Sequence, residues 1–302
     1  MNTPRALSFS RSAFWDSLDK RSLFGAGVVV LLWASAFAGI RVGLESYAPE
    51  SLALLRYLVA SVMLLIYAIF TRMPLPDWRD LPTIFAMGFL GFTLYNVALN
   101  AGEVGVSAGV ASFIVVSAPI FMVGFATVFF GERLNKWAWI GIAISFVGVT
   151  IISVTKPDGF YFDERALLVL LAAIVQAGYS VGQKPLLKKY GALRFTTYAV
   201  WAGTVMLMIF TPTLINEMPS ASTESTLAVI YMGVFPGAIG YLSWSFVLSR
   251  LPASIAGSFL YLIPAFAVII AWFWLGEVPS VLALIGGTLI VIGVITVNTR
   301  GR

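Results

Sequence analysis

The sequence predicts an all-α membrane protein in which ten transmembrane helices form two inverted five-helix repeats around a central cavity. Three observations predict this fold: an apolar composition, a segment that occurs twice, and basic residues concentrated in alternate loops. Hydrophobic residues make up 59% of the 302 positions and charged residues 11%, whereas soluble domains are about 25% charged. A bilayer core about 30 Å thick requires about 20 apolar residues per helix. Windows of that length predict spans at 23–43, 51–71, 81–101, 104–130, 137–155, 166–184, 193–215, 225–248, 253–275 and 279–298.

The duplicated segment predicts two equivalent halves. Residues 119–134 read PIFMVGFATVFFGERL, and residues 264–279, which begin 145 positions later, read PAFAVIIAWFWLGEVP. Each copy belongs to a set of five predicted spans, and an odd number of crossings makes the second set enter the membrane from the opposite side. The predicted division is a cytoplasmic tail at 1–22, a first repeat at 23–155, a linker at 156–165 and a second, inverted repeat at 166–299.

The placement of lysine and arginine predicts the orientation. The loops on the side of the N-terminus carry fifteen of these residues, and the loops on the other side carry only Lys156 and Arg165. Because cytoplasmic loops are enriched in basic residues, both termini are predicted to lie in the cytoplasm, with the chain in the cell inner membrane. Two further residues, Arg41 and Arg56, fall toward the outer ends of the first two spans. The basic residues form no single patch, so no nucleic-acid partner is expected.

Inverted repeats are typical of alternating-access transporters, whose substrate site opens to each side of the membrane in turn. Pro119 and Pro264 fall near the centres of spans 104–130 and 253–275, and we predict that they act as hinges. Proline removes one intrahelical hydrogen bond, which would free the carbonyls of Val115 and Leu260 as ligands for an ammonium group. The alternative is a packing kink whose carbonyl is satisfied by neighbouring helices.

The chain resembles a known family. The paired Pro-x11-Gly-Glu elements, the run from Trp33 to Phe37 (WASAF) and the ten predicted spans resemble the EamA-type members of the drug/metabolite transporter superfamily over essentially the whole chain. Its length and aromatic content are most similar to the aromatic amino acid exporters of that superfamily. The resemblance implies a basket of ten helices whose cavity is lined mainly by spans 1, 3, 4, 6, 8 and 9.

Polar and aromatic residues recur at helical spacing on those lining spans. Tyr95 and Tyr241 occupy similar places in spans 3 and 8 on opposite sides of the midplane, which suits outer and inner lids. A lining of neutral polar and aromatic groups favours zwitterionic or neutral amphipathic substrates such as amino acids. The alternatives for single residues are interhelical hydrogen bonds and interfacial aromatic belts. The candidate substrate-binding residues are Trp33, Phe37, Tyr95, Asn96, Ser112, Gln176, Tyr179, Tyr241, Trp244, Ser258 and Tyr261.

The position of the acidic residues predicts the driving force. Proton-coupled exporters usually place a carboxylate or a histidine at the site, but no Asp or Glu lies in the middle third of any span and the chain has no histidine. Glu132 and Glu277 lie at span ends, where we interpret them as interfacial caps. The sequence therefore predicts facilitated movement. Proton coupling through a hydrated acid near an opening, such as Glu103 or Glu45, is the alternative.

The sequence lacks the residues that several other functional classes require. Residues 105–109 (GVSAG) match the GxSxG nucleophile pattern, but without histidine or cysteine the usual triads and common zinc sites are unavailable. No phosphate-binding GxxxxGK[ST] loop is present, so no enzyme activity, cofactor or metal is expected. The expected partners are a small-molecule substrate and the lipid bilayer, with the monomer as the functional unit. The alternatives are a proton-coupled exporter of another metabolite or drug, or a sugar-phosphate-type exchanger.

Overall fold

A computed structural model of the chain describes residues 20–130, 135–153, 155–156, 159–160, 163–250 and 259–300. Most of the predicted N-terminal tail, Glu132 and Ser258 lie outside these residues. The described residues are mainly helical. The exception is a short antiparallel pair, Thr155–Lys156 with Gly159–Phe160, near the predicted linker.

The helices follow the predicted spans closely. The first repeat region holds α1 (Lys20–Gly43), α2 (Pro49–Phe70), α3 (Trp78–Glu103), α4 (Ala108–Val115), α5 (Ala118–Phe130) and α6 (Lys136–Ser153). The second holds α7 (Glu164–Gly182), the short α8 (Lys184–Tyr190), α9 (Ala192–Glu217), α10 (the consecutive segments Thr223–Met232, Gly233–Ile239 and Gly240–Arg250), α11 (Ile263–Leu275) and α12 (Val281–Arg300).

Six helices in the described part of the chain are long and apolar enough to cross a membrane, namely α1, α2, α3, α7, α9 and α10. Shorter apolar helices occupy the four other predicted spans. A multi-pass membrane protein is therefore confirmed, while the count of ten crossings stays a prediction.

The structure corrects the prediction of one continuous helix over 104–130. Helix α4 ends at Val115, and α5 begins at Ala118 with Pro119 in its first turn. A proline fits the first turn of a helix because the amide it lacks would have no intrahelical partner there. Pro119 thus starts a second helix after a break in the chain, and the predicted role as a hinge stays untested.

Pro264 has the same place in the second repeat region, in the first turn of α11. A 3₁₀ turn, Leu260–Leu262, precedes this helix, and its Leu260 carbonyl accepts the amide of Ile263. The prediction that proline leaves the Leu260 carbonyl free is therefore wrong, because the tighter turn supplies a new donor.

Helices α3 and α10 each contain a π-helical segment, Phe89–Leu94 and Gly233–Ile239. The two segments lie at equivalent places, about 145 residues apart. Pro236 lies inside the second and explains it, since a proline within a helix prevents the regular hydrogen bond. π-helical turns widen a helix locally and often occur at functional sites.

The matching helices α6 and α12 pack against one another through reciprocal contacts. A Cβ atom added to Gly148 would lie 2.4 Å from the Gly286 carbonyl oxygen, and one added to Gly293 would lie 2.4 Å from the Gly141 carbonyl oxygen. The pairing is antiparallel, since the earlier residue of α6 meets the later residue of α12. Equivalent positions at the 145-residue offset therefore exchange the same contact, as a local two-fold axis requires.

Polar contacts at the helix ends define two faces of the bundle. On the first, called the Arg41 face, the ends of α1, α3 and α11 meet the start of α4. On the second, called the Lys189 face, the ammonium of Lys189 in α8 binds Asp77 and Asp80 at the start of α3. The pKa of Lys189 is raised, mainly because its ammonium donates a hydrogen bond to Asp80. The predicted orientation assigns the Lys189 face to the cytoplasm.

We predict that alanine at Gly148 or Gly293 destabilises the protein, while alanine at Gly27 does not. The added methyl overlaps a backbone carbonyl at the first two positions, and overpacking of this kind costs about 1–3 kcal/mol. Gly27 faces open space in α1, where alanine is the better helix former. Thermal midpoints of the three purified variants check this. A midpoint for Gly148→Ala or Gly293→Ala at or above that of Gly27→Ala would contradict the tight packing.

Candidate functional site

Three of the predicted aromatic residues meet directly. The Trp33 ring of α1 lies 5.4 Å from Tyr241 and 5.7 Å from Trp244, both in α10. Its indole nitrogen donates to the Pro236 carbonyl at 3.3 Å, so the π-helical segment of α10 holds the ring. Gly240 makes this approach possible, because a Cβ there would lie 2.7 Å from the indole nitrogen.

Phe92 extends the contact across the bundle. Its ring, in the π-helical segment of α3, lies 5.7 Å from Tyr241 and 5.5 Å from Tyr179 of α7. Tyr179 in turn stacks on Phe195 of α9 at 6.2 Å. These separations are those of favourable aromatic pairs. Trp33, Trp244, Tyr241, Phe92, Tyr179 and Phe195 are called the aromatic row.

Three other predicted aromatic residues and Ser112 lie elsewhere in the described bundle. Phe37 is buried in the apolar core, Tyr95 and Tyr261 are half-buried beside it, and the Ser112 hydroxyl donates to the Gly109 carbonyl of its own helix. The 145-residue offset pairs Tyr241 with Asn96, the neighbour of Tyr95, so the two predicted lids are not at strictly equivalent positions.

Gln176 lies on α7, three residues before Tyr179. Its side-chain oxygen is buried and accepts no hydrogen bond in the described part of the chain. An amide oxygen without a donor is costly in an apolar interior. Gln176 therefore keeps a free acceptor one helical turn from the aromatic row.

A polar cluster adjoins the aromatic row toward the Arg41 face. Asn96 is fully buried and donates to the Tyr57 hydroxyl at 3.1 Å and to the Phe92 carbonyl at 2.9 Å. Its oxygen accepts from Arg56 of α2 at 3.3 Å. Because Tyr57 also contacts the Phe92 ring at 5.4 Å, Asn96 joins the polar cluster to the aromatic row.

Arg56 and Glu103 are buried ionisable residues. Arg56 is 7% exposed and lies in the first half of α2, so it is buried although it lies toward the predicted outer end of the span. Glu103 is 0% exposed, so it is not the hydrated acid that the sequence suggested. Between them, Asn100 donates to the Pro49 carbonyl at 2.9 Å. Arg56, Asn96, Asn100 and Glu103 are called the polar cluster.

An ion pair closes the bundle over the polar cluster at the Arg41 face. Arg41 binds Glu277 at 3.1 Å and also donates to the Glu103 backbone carbonyl. The second Glu277 oxygen accepts the Ala108 amide at the start of α4 at 3.0 Å. Glu277 thus caps a helix, as interpreted, and it also ties α1 and α4 to the end of α11.

A groove of about 540 Å³ lies at the opposite end, between the start of α1 and the end of α10. Lys20, Phe24 and Phe246 are among its lining residues. An ion pair thus closes the ends of α1 and α11 at the Arg41 face, and a groove lies at the opposite end of α1.

Sequence reasoning missed Phe92, Tyr57, Phe195 and the pairing of Arg56 with Asn96. Tyr57 and Arg56 lie on α2 and Phe195 on α9, which were not among the expected lining spans. The available signal was weak: Gly91 beside Phe92 marks a place where the Tyr179 ring comes within 2.6 Å of an added Cβ.

Comparison with known proteins identifies the family. A model of the EamA-like transporter family matches residues 20–154 and again 165–299. An uncharacterized transporter of Bacillus subtilis, YdfC, is 45% identical over 267 residues, covering 88% of this chain and 87% of the relative. A probable terminal-alkyne amino-acid exporter of Streptantibioticus cattleyicolor is 42% identical over 281 residues, covering 93% and 94%.

A solved crystal structure shares the fold. It aligns with a TM-score of 0.63 at 17% identity, covering 91% of this chain and 95% of the solved one. The family matches cover both repeat regions, and the curated relatives span nearly the full length. The chain belongs to the EamA-like transporter family.

Proposed function

We propose that the protein exports amino acids, in particular aromatic and other neutral amphipathic ones, from the cell by alternating access. The observation that carries the proposal is the aromatic row beside a polar cluster inside a multi-pass transporter. Flat apolar rings and buried hydrogen-bonding groups together match a molecule with an apolar side chain and a charged head group. The relative named as a probable terminal-alkyne amino-acid exporter supports the same substrate class.

Several finer features belong to the same proposal. Both termini lie in the cytoplasm, the monomer is the functional unit, and Pro119 and Pro264 begin the helices that move. Movement is facilitated, because the buried acid Glu103 lies at the end of α3 and not at mid-depth. Trp33, Tyr179, Tyr241 and Gln176 contact the substrate side chain.

One observation favours a second candidate, an exchanger of anionic solutes such as sugar phosphates. Arg56 is a buried cation without an acidic partner in the described part of the chain, and phosphate sites commonly use arginine. A single arginine beside a buried carboxylate suits a zwitterion better than a dianion, since Glu103 would repel a phosphate.

Flux into liposomes that contain only the purified protein tests the function. We expect uptake of labelled L-phenylalanine above empty liposomes, and the same final level with or without an imposed pH gradient. Failure to move any amino acid, with rapid movement of a phosphorylated sugar, would establish the second candidate instead. Accumulation driven by the pH gradient would contradict facilitated movement.

We predict that Trp33→Ala and Gln176→Ala each lower phenylalanine flux by about tenfold, which corresponds to about 1.4 kcal/mol. The first removes two ring contacts and the second a free acceptor beside the row. Trp139→Ala is the matched control, because Trp139 is exposed on α6. Expression should stay unchanged in all three variants, and the thermal midpoint should stay unchanged in Gln176→Ala and Trp139→Ala. Normal flux in Gln176→Ala would remove Gln176 from the site.

A disulfide between α4 and α11 should stop transport by locking the Arg41 face. A Cβ at Gly109 would lie 3.8 Å from the Val268 Cβ, within the range that a disulfide requires. The natural chain has no cysteine, so the double variant Gly109→Cys with Val268→Cys carries no other thiol that could react. We expect oxidation to abolish flux and reduction to restore it, while each single variant is insensitive. Unchanged flux in the oxidised double variant would show that this contact does not separate during transport.

A further inference from the structure

Within the residues that the structure describes, four buried polar atoms of the polar cluster have no hydrogen-bond partner. They are Nε of Arg56, Oδ1 of Asn100 and both carboxylate oxygens of Glu103. Asn100 and Glu103 are 0% exposed and Arg56 is 7% exposed. Buried polar groups are normally satisfied, and buried charges are normally paired. The cluster therefore has the capacity for a ligand with both a donor and an acceptor.

Charge balance gives the chemistry of that ligand. Arg41 is matched by Glu277 at 3.1 Å, and the second Glu277 oxygen is occupied by the Ala108 amide. In the described part of the chain, this leaves Arg56 without an acid and Glu103 without a cation at ion-pair distance. A ligand that satisfies both must carry a negative and a positive group.

The geometry orders the two charges along α3. Asn96, Asn100 and Glu103 lie at i, i+4 and i+7, which places them on one face over about 10 Å of helix at 1.5 Å per residue. Arg56 is fixed at the inner end by its hydrogen bond to Asn96. Glu103 lies at the outer end, and the Asn100 oxygen lies between them.

The aromatic row begins at the inner end of this cluster. The Arg56 guanidinium lies 5.5 Å from the Tyr57 ring centroid, and Tyr57 contacts Phe92. A ligand whose head group occupied the polar cluster would thus have aromatic faces next to its side chain. An amphipathic amino acid has this arrangement, because its two charges share the carbon that carries the side chain.

On the basis of the proposed function, we propose that Arg56, Asn100 and Glu103 form the head-group site for a zwitterionic α-amino acid. Arg56 binds the carboxylate, and Glu103 with the Asn100 oxygen binds the ammonium. In the closed conformation the site is shut from water by Arg41, which is tied to the Glu103 backbone and to Glu277. The head group enters or leaves when these bonds open.

Binding of three probes to the purified protein tests the site: L-phenylalanine, phenylethylamine and 3-phenylpropionate. All three carry the phenyl ring. Phenylalanine has both charged groups, phenylethylamine has only the ammonium, and 3-phenylpropionate has only the carboxylate. We expect Glu103→Gln to weaken binding of phenylalanine and phenylethylamine by about tenfold or more, and to leave 3-phenylpropionate unchanged or tighter. Arg56→Gln should weaken the binding of phenylalanine and 3-phenylpropionate and leave the binding of phenylethylamine unchanged.

Glu45→Gln is the matched control, because it removes the same charge from an exposed position after α1 and should leave all three affinities unchanged. If Glu103→Gln does not fold, Glu103→Asp keeps the charge, shortens the reach and should weaken the two ammonium probes alone. If a variant at Glu103 binds the three probes with the same order of affinities as the wild type, the head-group site is overturned, even when phenylalanine is transported.

Two further outcomes separate this proposal from the function on which it rests. If Glu103→Gln loses only the pH dependence of transport and keeps its relative affinities for the three probes, the head-group site is overturned and Glu103 is a proton-binding group. Wild-type protein that neither binds the three probes nor transports any amino acid overturns both the site and the proposed function.

Discussion

The cost of an unsatisfied charge in hydrocarbon is the constraint on which this structure depends. The membrane interior supplies no hydrogen bonds, so polar groups there must be met by the protein or by what it carries. Most polar side chains along the bundle obey this rule, as Asn96 does with three partners. In the described residues Arg56 and Glu103 do not, because the Arg56 Nε and both Glu103 carboxylate oxygens lack a hydrogen-bond partner. Their unmatched charges make the polar cluster the part of the bundle most sensitive to a charged ligand.

The symmetric pairing of α6 with α12 is a second constraint on the bundle. Reciprocal glycine contacts hold these two helices at the distance of backbone against backbone, which larger residues would prevent. Four other helices are interrupted in matching pairs, α3 and α10 by π-helical segments, α5 by a break before it and α11 by a 3₁₀ turn before it. Two of them, α3 and α10, contribute to the aromatic row, whereas α6 and α12 are continuous. Movement of the interrupted helices against the continuous pair fits the proposed alternating access.

The sequence predicted the helices well because span length and apolar composition are properties of each segment alone. The 145-residue repeat also predicted that Pro119 and Pro264 lie at matching places, although it placed them near span centres and the structure places them in the first turns of α5 and α11. The site was predicted less completely. Trp33, Tyr179 and Tyr241 were identified by spacing, but the ion pair at the Arg41 face joins Arg41 to Glu277, two residues 236 positions apart. A contact between such distant residues leaves no periodic pattern in either segment.

The most direct test of the central claim is an experimental structure of the protein with L-phenylalanine bound. The account predicts the ligand carboxylate within hydrogen-bond distance of the Arg56 guanidinium, and its ammonium within the same distance of Glu103. The ligand ring should lie against the aromatic row. A head group bound elsewhere, with the Glu103 oxygens still unpartnered, would contradict the account.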